Sequence, residues 1–178
     1  MALTLLTGGA RSGKSVLAVR LATARPGPVT LIATAEPRDD EMRDKIALHR
    51  AARPQTWTTI EEPVEIEDSL AAVPGVDLVI VDCLTLWVSN AIERGIGGAE
   101  IAERAAGFAK QCAARSEPVL VVTNEVGDGI VPMDPATRTW RNLMGTVNAA
   151  VAAEATHAYL VVAGRAIPLG GTEEVLLT

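Results

Sequence analysis

The segment LTGGARSGKSVLA, from Leu6 to Ala18, restricts the fold more than any other part of the chain. Gly8 is followed by four residues and then by Gly13, Lys14 and Ser15. This spacing is typical of a loop whose backbone N–H groups surround the phosphates of a nucleotide, and such a loop joins a buried strand to a helix. An apolar run precedes the glycines and a helical pattern follows them, so a strand, a phosphate loop and a helix are expected here.

Apolar, β-rich runs alternate with helical patterns along the rest of the chain. The predicted strands are residues 2–7, 29–34, 76–84, 118–124 and 158–164, and residues 57–61 would add a short one. Helices are predicted to begin near Gly13, Asp40, Pro63, Ala99 and Asp134. This alternation predicts a mostly parallel sheet with helices on both faces. We therefore expect one α/β domain over residues 1–178.

Composition limits the classes of partner. The chain has 178 residues, of which 48% are apolar and 21% charged, enough for one sizeable core. Acidic residues outnumber basic ones by 22 to 16, so no footprint for nucleic acid or an anionic membrane is present. No apolar run approaches the roughly 20 residues that span a bilayer. Cys83 and Cys112 form no metal-ligand pattern, and the expected location is the cytoplasm, with both thiols unpaired.

Two oxygen-bearing side chains predict a magnesium site. A loop of this type places the hydroxyl of its serine, here Ser15, on Mg²⁺, and a carboxylate at the end of a second buried strand completes the site. The run LVIVD supplies that carboxylate as Asp82. The alternative is an ordinary strand-terminal aspartate that caps the next turn. The nearby loop favours the metal role.

The helix predicted from Asp40 carries one of the two histidines of the chain. Met42, Ile46, His49 and Arg53 follow one another at helical spacing and form one stripe. The stripe predicts that His49 faces inward, beside apolar neighbours.

Arginines flank this histidine, at Arg50 and Arg53. No second histidine, cysteine or suitably spaced acid accompanies it, which disfavours metal binding. A neutral imidazole is a competent nucleophile toward phosphorus, and guanidinium groups would neutralise the phosphate oxygens. His49 would then carry a phosphoryl or nucleotidyl group. A structural histidine with solvated arginines is equally consistent with the residues alone, and His157 is predicted to be structural.

Polar residues after the fourth predicted strand form a third candidate group. Asn124 and Glu125 end that strand at the edge where open α/β sheets bind ligands, so a functional role is favoured. The helix that follows carries Arg138, Arg141, Asn142 and Asn148. For these residues a solvated helix face is as well supported as a binding role.

These segments together resemble the bifunctional adenosylcobinamide kinase / adenosylcobinamide-phosphate guanylyltransferase family of cobalamin synthesis. The shared stretches are TGGARSGKS, IAT, DDEM, HRAARP followed by TW.T.E, NEVG.GIVP and R..R...G.VN. They occur in the expected order from Leu3 to about Gly164. The resemblance implies a P-loop α/β fold with a RecA-like, mostly parallel sheet.

The resemblance also implies a two-step reaction. The family phosphorylates the aminopropanol hydroxyl of adenosylcobinamide with ATP or GTP. It then transfers GMP from GTP to that phosphate through a GMP–histidine intermediate, which releases pyrophosphate and leaves adenosylcobinamide-GDP. The histidine of that motif matches His49. Mg²⁺ is the implied cofactor, and the family forms homotrimers with active sites between subunits.

Residue matching assigns the site. Lys14 and His49 are implied as catalytic, and Ser15 and Asp82 as metal ligands. The nucleotide would be bound by Gly8, Gly9, Ala10, Arg11, Ser12, Gly13, Lys14, Ser15, Ala33, Thr34, Ala35, Arg50, Ala51, Ala52, Arg53, Glu61 and Asp82. Two other classes use the same loop without His49: a kinase for another small metabolite, and a nucleotide-dependent switch that presents a surface to a protein partner.

Overall fold

The computed structural model describes residues 3–171 as one seven-stranded sheet flanked by helices. The strands are β1 (Leu3–Thr7), β2 (Val29–Ala33), β3 (Thr58–Glu61), β4 (Leu78–Asp82), β5 (Val119–Val122), β6 (His157–Val162) and β7 (Arg165–Pro168). The helices are α1 (Lys14–Thr23), α2 (Asp40–Ala51), α3 (Ile66–Ala72), α4 (Leu84–Glu93), α5 (Gly98–Ala114) and α6 (Pro135–Glu154). None of these helices is both long and apolar enough to cross a bilayer.

The order of the strands brings distant segments to one edge of the sheet. The order is β3-β2-β4-β5-β1-β6-β7, and only the pair β6 and β7 among the described strands is antiparallel. Asp82 pairs with Ala33 on one side and with Val122 on the other. The carboxyl ends of β1, β2, β4 and β5 therefore meet at a single edge, where ligands bind in sheets of this kind.

The side chains of the central strands divide between two cores. In β4, Val79 and Val81 pack among residues of α3, α4, α5 and α6, whereas Leu78 and Ile80 face α1. Successive side chains of a strand point to opposite faces, so this division shows helices on both sides of the sheet. The predicted mostly parallel, doubly covered α/β fold is confirmed.

Two elements differ from the sequence prediction. The strand predicted to reach Leu84 ends at Asp82, and α4 begins at Leu84. The apolar residues of α4 follow the strand almost directly, and Cys83 gives the helix no side-chain cap, so no capping signal marked where the strand ends and the helix begins. The second difference is β7, a strand that was not predicted. It pairs with β6 through a turn at Ala163 and Gly164, both of which have positive φ.

The amide of Asn148 joins α6 to the end of β5. Thr123 donates its hydroxyl to Asn148 Oδ1 at 2.7 Å, and Asn148 Nδ2 donates to the carbonyl of Asn124 at 3.0 Å. Asn148 is buried, whereas Asn142 lies exposed on the same helix. The two residues that the sequence grouped together therefore differ in role, and Asn148 supports the edge of the sheet.

We predict that Asn148→Ala lowers the free energy of unfolding by about 1–3 kcal/mol, because it leaves the buried Thr123 hydroxyl without its acceptor. Urea unfolding followed by circular dichroism measures the change. Asn142→Ala is the matched control, expected within about 0.5 kcal/mol of the parent. Equal losses in the two variants would contradict the role given to Asn148.

Candidate active site

Lys14 lies inside the loop formed by residues 8–15. Its ammonium group donates hydrogen bonds to the carbonyl oxygens of Gly8 at 2.8 Å and Gly9 at 2.7 Å, and to Ser12 Oγ at 3.3 Å. The side chain is buried. Burial lowers the pKa of Lys14, and the negative charge of Asp82 is among the influences that oppose the shift. The loop thus holds a cation at the carboxyl end of β1.

The turn between β6 and β7 packs directly against this loop. Gly8 has φ +147°, and a Cβ there would lie 2.3 Å from the carbonyl oxygen of Val161. Gly13 has φ +99°, and its Cβ would lie 3.1 Å from Cα of Gly164. The N–H of Gly164 donates to the carbonyl of Ser12 at 2.8 Å. Glycine is therefore required at both loop positions by conformation and by close approach.

Sequence reasoning missed this support for the loop. The run LVVAGRAIP has two β-prone stretches around Ala163 and Gly164, which is a signal for a tight hairpin. The hairpin could have been predicted from that signal. Its contact with the loop could not, because residues 8–13 and 161–164 come together only through the pairing of β1 with β6.

The carboxylate of Asp82 connects the loop to α2. Ser15 Oγ donates to Asp82 Oδ1 at 3.3 Å, and Nδ1 of His49 lies 3.9 Å from Asp82 Oδ2. The second distance is too long for a hydrogen bond, so the two groups are close without being bonded. Three residues that are far apart in the sequence are thus brought together.

Thr34 links the ends of β2 and β4 beside Asp82. Its hydroxyl donates to the carbonyl of Cys83 at 2.7 Å and accepts from the N–H of Cys83 at 2.8 Å. The Thr34 N–H donates to the Asp82 carbonyl at 3.1 Å. Burial raises the pKa of the Cys83 thiol to about 11, so this cysteine is a neutral thiol near the site and a poor nucleophile.

The stripe on α2 faces the protein but does not enter the core. Met42, Ile46, His49 and Arg53 are half-buried, while the other residues from 41 to 52 are exposed. The inward-facing stripe was predicted correctly for Met42, Ile46 and His49, whereas Arg53 lies beyond the end of α2 at Ala51. The expectation of apolar surroundings for His49 was wrong. Its side chain is 39% exposed, and its Nδ1 lies 3.9 Å from the Asp82 carboxylate.

A cavity of about 420 Å³ lies beyond the carboxyl end of α2. It is lined by Arg50, Arg53, Pro54, Gln55, Trp57, Thr59 and Glu61. Arg50 forms an ion pair with Glu61, and burial lowers the pKa of Arg53 while the charge of Asp82 opposes that shift. Two guanidinium groups and an indole ring can hold an anionic, aromatic ligand.

The remaining residues that were predicted to bind the nucleotide divide into two groups by their exposure. Ala33 and Ala35 flank Thr34 at the edge and are half-buried, whereas Ala10, Arg11, Ala51 and Ala52 are exposed and carry no described side-chain contact.

The candidate residues that follow β5 make backbone hydrogen bonds at the site or hold nearby backbone in place. The N–H of Glu125 donates to the carbonyl of Gly8 at 3.0 Å, and the N–H of Asn124 donates to Thr85 Oγ1 at 2.9 Å. Arg138 donates to the carbonyl of Pro132 at 2.9 Å, and so closes the loop before α6. These contacts place Asn124 and Glu125 at the site edge, and they give Arg138 a structural task.

We predict that Gly8→Ala destabilises the protein by at least about 2 kcal/mol and weakens GTP binding, because the new Cβ collides with the Val161 carbonyl. Gly75→Ala is the matched control, since a Cβ there meets nothing within 4 Å and Gly75 lies outside the phosphate loop. Thermal unfolding and titration with GTP measure both effects. Parent-like behaviour of Gly8→Ala would show that the hairpin does not constrain the loop.

Proteins of known identity match this chain over nearly its full length. The Pseudomonas aeruginosa bifunctional adenosylcobalamin biosynthesis protein CobP is 38% identical, over 94% of this chain and 96% of that protein. The Escherichia coli bifunctional adenosylcobalamin biosynthesis protein CobU is 37% identical, over 90% of this chain and 95% of that protein. The Salmonella typhimurium protein of the same name is 36% identical, over 90% and 95%.

Solved structures share the fold at low sequence identity. An ATPase from the type III secretion system of pathogenic bacteria has a TM-score of 0.57 at 10% identity, covering 98% of this chain and 60% of that chain. The Pyrococcus horikoshii protein PH0250 has a TM-score of 0.54 at 9% identity, covering 94% and 85%. These likenesses support the P-loop fold that the resemblance implied.

A sequence model of the family described as cobinamide kinase / cobinamide phosphate guanyltransferase matches residues 4–169. That span contains the phosphate loop, Asp82, the histidine helix and the hairpin that supports the loop. Together with the identities to its relatives, the match shows that this chain belongs to the cobinamide kinase / cobinamide phosphate guanyltransferase family of transferases.

Proposed function

We propose that this protein phosphorylates adenosylcobinamide with ATP or GTP and then transfers GMP from GTP to the resulting phosphate through a GMP–histidine intermediate. The observation that carries the proposal is the position of His49, whose Nδ1 lies 3.9 Å from the carboxylate that also accepts a hydrogen bond from Ser15 of the loop. An imidazole beside a phosphate loop suits attack on a bound nucleotide. The family to which the chain belongs supports the two activities, cobinamide kinase and cobinamide phosphate guanyltransferase.

The phosphate loop serves both steps. Its backbone N–H groups at the start of α1 surround phosphate oxygens, and the loop glycines allow their close approach. Lys14 exchanges its hydrogen bonds with the Gly8 and Gly9 carbonyls for bonds to the nucleotide phosphates. In the kinase step the corrinoid hydroxyl attacks the γ-phosphorus and its proton passes to solvent. The bond from the γ-phosphorus to the bridging oxygen breaks, and the nucleoside diphosphate leaves with the electron pair.

Guanylyl transfer takes place at His49. Its Nδ1 faces Asp82, which leaves Nε2 to attack the α-phosphorus of GTP. The new N–P bond forms as the bond to the β-phosphate oxygen breaks, and pyrophosphate departs with the electron pair. An oxygen of the corrinoid phosphate then attacks the same phosphorus, and the N–P bond breaks. This step frees the histidine and yields adenosylcobinamide-GDP. The imidazole ends the cycle with the same number of protons as it had at the start.

Ser15 and Asp82 fit a magnesium ion. Their oxygens lie 3.3 Å apart at the mouth of the loop, and hydroxyl and carboxylate oxygens are ligands that Mg²⁺ prefers. Among the described residues no cluster of three or more histidine, cysteine or acidic side chains could hold a metal, which suits an ion that takes its other ligands from phosphates and water. When bound, the ion would neutralise charge on the phosphate oxygens.

The remaining nucleotide contacts follow from the same edge. Arg53 is half-buried close to Asp82, and Arg50 and Glu61 line the cavity beyond α2. We propose that these residues, with residues 33–35, hold the nucleotide while its α-phosphorus meets His49. The homotrimer, the cytoplasmic location and a single domain over residues 1–178 stay predictions of the sequence and its resemblance.

We predict that His49→Ala abolishes covalent labelling by GTP carrying ³²P at the α-phosphate. The parent protein is expected to form an acid-labile, alkali-stable adduct that maps to His49 by peptide sequencing. His157→Ala is the matched control, because His157 begins β6 at the opposite edge of the sheet and is exposed. It should label at the parent rate.

The same experiment separates the proposal from its alternatives. A parent protein that turns over ATP and phosphorylates a small metabolite without forming the adduct would be a simple kinase. One that binds GTP and shows neither reaction would be a nucleotide-dependent switch. Strong guanylyl transfer by His49→Ala would overturn the role of the histidine.

We predict that Lys14→Ala lowers both the kinase and the guanylyltransferase rates by about 10²-fold or more, because both reactions use the charge that the loop holds. Initial rates of the two reactions, measured separately at saturating nucleotide, check this. Lys110→Ala, which removes an exposed lysine of α5, is the control. Loss of one activity alone would mean that the steps use different phosphate sites.

A further inference from the structure

A cluster of charged side chains joins the start of α2 to α4. Arg38 Nη2 donates to Glu36 Oε2 at 2.7 Å and to Asn90 Oδ1 at 2.6 Å, and its other terminal nitrogen pairs with Glu93. Arg94 donates to Glu36 Oε1 at 2.8 Å. We refer to Glu36, Arg38, Asn90, Glu93 and Arg94 as the α2 anchor. No step of the proposed reaction uses it.

Asn90 ties the α2 anchor to the sheet. Its side chain is 2% exposed, and its Nδ2 donates to the carbonyl of Thr34 at 2.8 Å and to that of Pro63 at 3.0 Å. Asn90 belongs to α4, which begins two residues after Asp82. The α2 anchor therefore connects the start of α2 to α4, the helix that follows Asp82.

Helix α2 has little else to fix its direction. None of its residues is buried, so it lacks the packed apolar stripe that orients most helices. Asp39 caps its first turn by accepting from the N–H of Met42 at 2.7 Å, directly after the anchor residue Arg38. At its other end the ion pair of Arg50 with Glu61 is exposed, and exposed pairs contribute little each.

The length of α2 magnifies small errors in its direction. His49 lies ten residues after Asp39, which is about 15 Å along a helix. A rotation of about 10° at the start of α2 would move His49 by roughly 2–3 Å. Displacements of about 1 Å at a reacting group can reduce a rate about 10²-fold.

Arginine suits the anchor because its planar guanidinium donates in several fixed directions at once. Arg38 uses two of its nitrogens on three acceptors from two segments of the chain. Hydrogen bonds from Arg94 and Arg38 lower the pKa of Glu36, so the carboxylate at the centre of the cluster stays charged. A neutral side chain of similar size would lose these contacts without emptying a core site.

We propose that Arg38 is a positioning residue for guanylyl transfer: by joining Glu36, Asn90 and Glu93 it sets the direction of α2 and thereby places His49 at the α-phosphorus. The inference rests on the proposed function of His49. It adds a residue that touches neither nucleotide nor corrinoid.

Single-turnover labelling with α-³²P GTP tests this proposal on Arg38→Gln. We expect the labelling rate at saturating GTP to fall about 10- to 100-fold while the dissociation constant for GTP changes less than about twofold, since the phosphate loop is untouched. Arg25→Gln is the matched control: Arg25 pairs with Glu117 at 3.6 Å, and its side chain is 46% exposed against 40% for Arg38. It should label at the parent rate.

The outcomes separate the two proposals. A parent protein that forms no adduct at His49 overturns the proposed function and this inference with it. A parent that labels normally, with Arg38→Gln equally fast, overturns the positioning role alone. So does a loss of rate that is matched by an equal loss of GTP affinity. If Arg38→Gln does not fold, Glu93→Gln decides on the same criteria, because Glu93 is exposed and its change leaves the core intact.

Discussion

The carboxylate of Asp82 is the point at which the parts of this site meet. It accepts a hydrogen bond from Ser15 of the phosphate loop and lies 3.9 Å from the imidazole of His49. A charge at this position is tolerated because β4 ends there and opens onto the polar edge of the sheet. In the proposed reaction, the loop, the strand end and the histidine helix therefore depend on one another, although they are separate elements of the fold.

The two halves of the site are held by different means. The phosphate loop is fixed by close backbone contact, since the Val161 carbonyl leaves no room for a Cβ at Gly8. His49 instead sits on a helix without a buried residue, whose direction depends on charged groups at its start. Rigid support suits a loop that binds phosphates in both proposed steps. A lightly packed helix suits a residue that is used in only one of them.

Much of the fold and part of the site could be predicted because their signals are local. The spacing of Gly8, Gly13, Lys14 and Ser15 lies within one short segment, and so does the stripe that carries His49. Helix α4 was missed because its apolar residues follow β4 almost directly and no capping side chain marks its start. The environment of His49 was misjudged because its spacing shows which face turns inward but not what that face meets.

By itself the sequence determined the phosphate loop, the alternation of strands and helices, and the family, because each is carried by residue types at fixed spacing along the chain. Only the tertiary structure decided that Asp82 lies between Ser15 and His49, that the hairpin at Gly164 supports the loop, and that Arg38 anchors α2. These contacts join segments about 30 to 150 residues apart. Their formation depends on strand order and register, which no local pattern of side chains specifies.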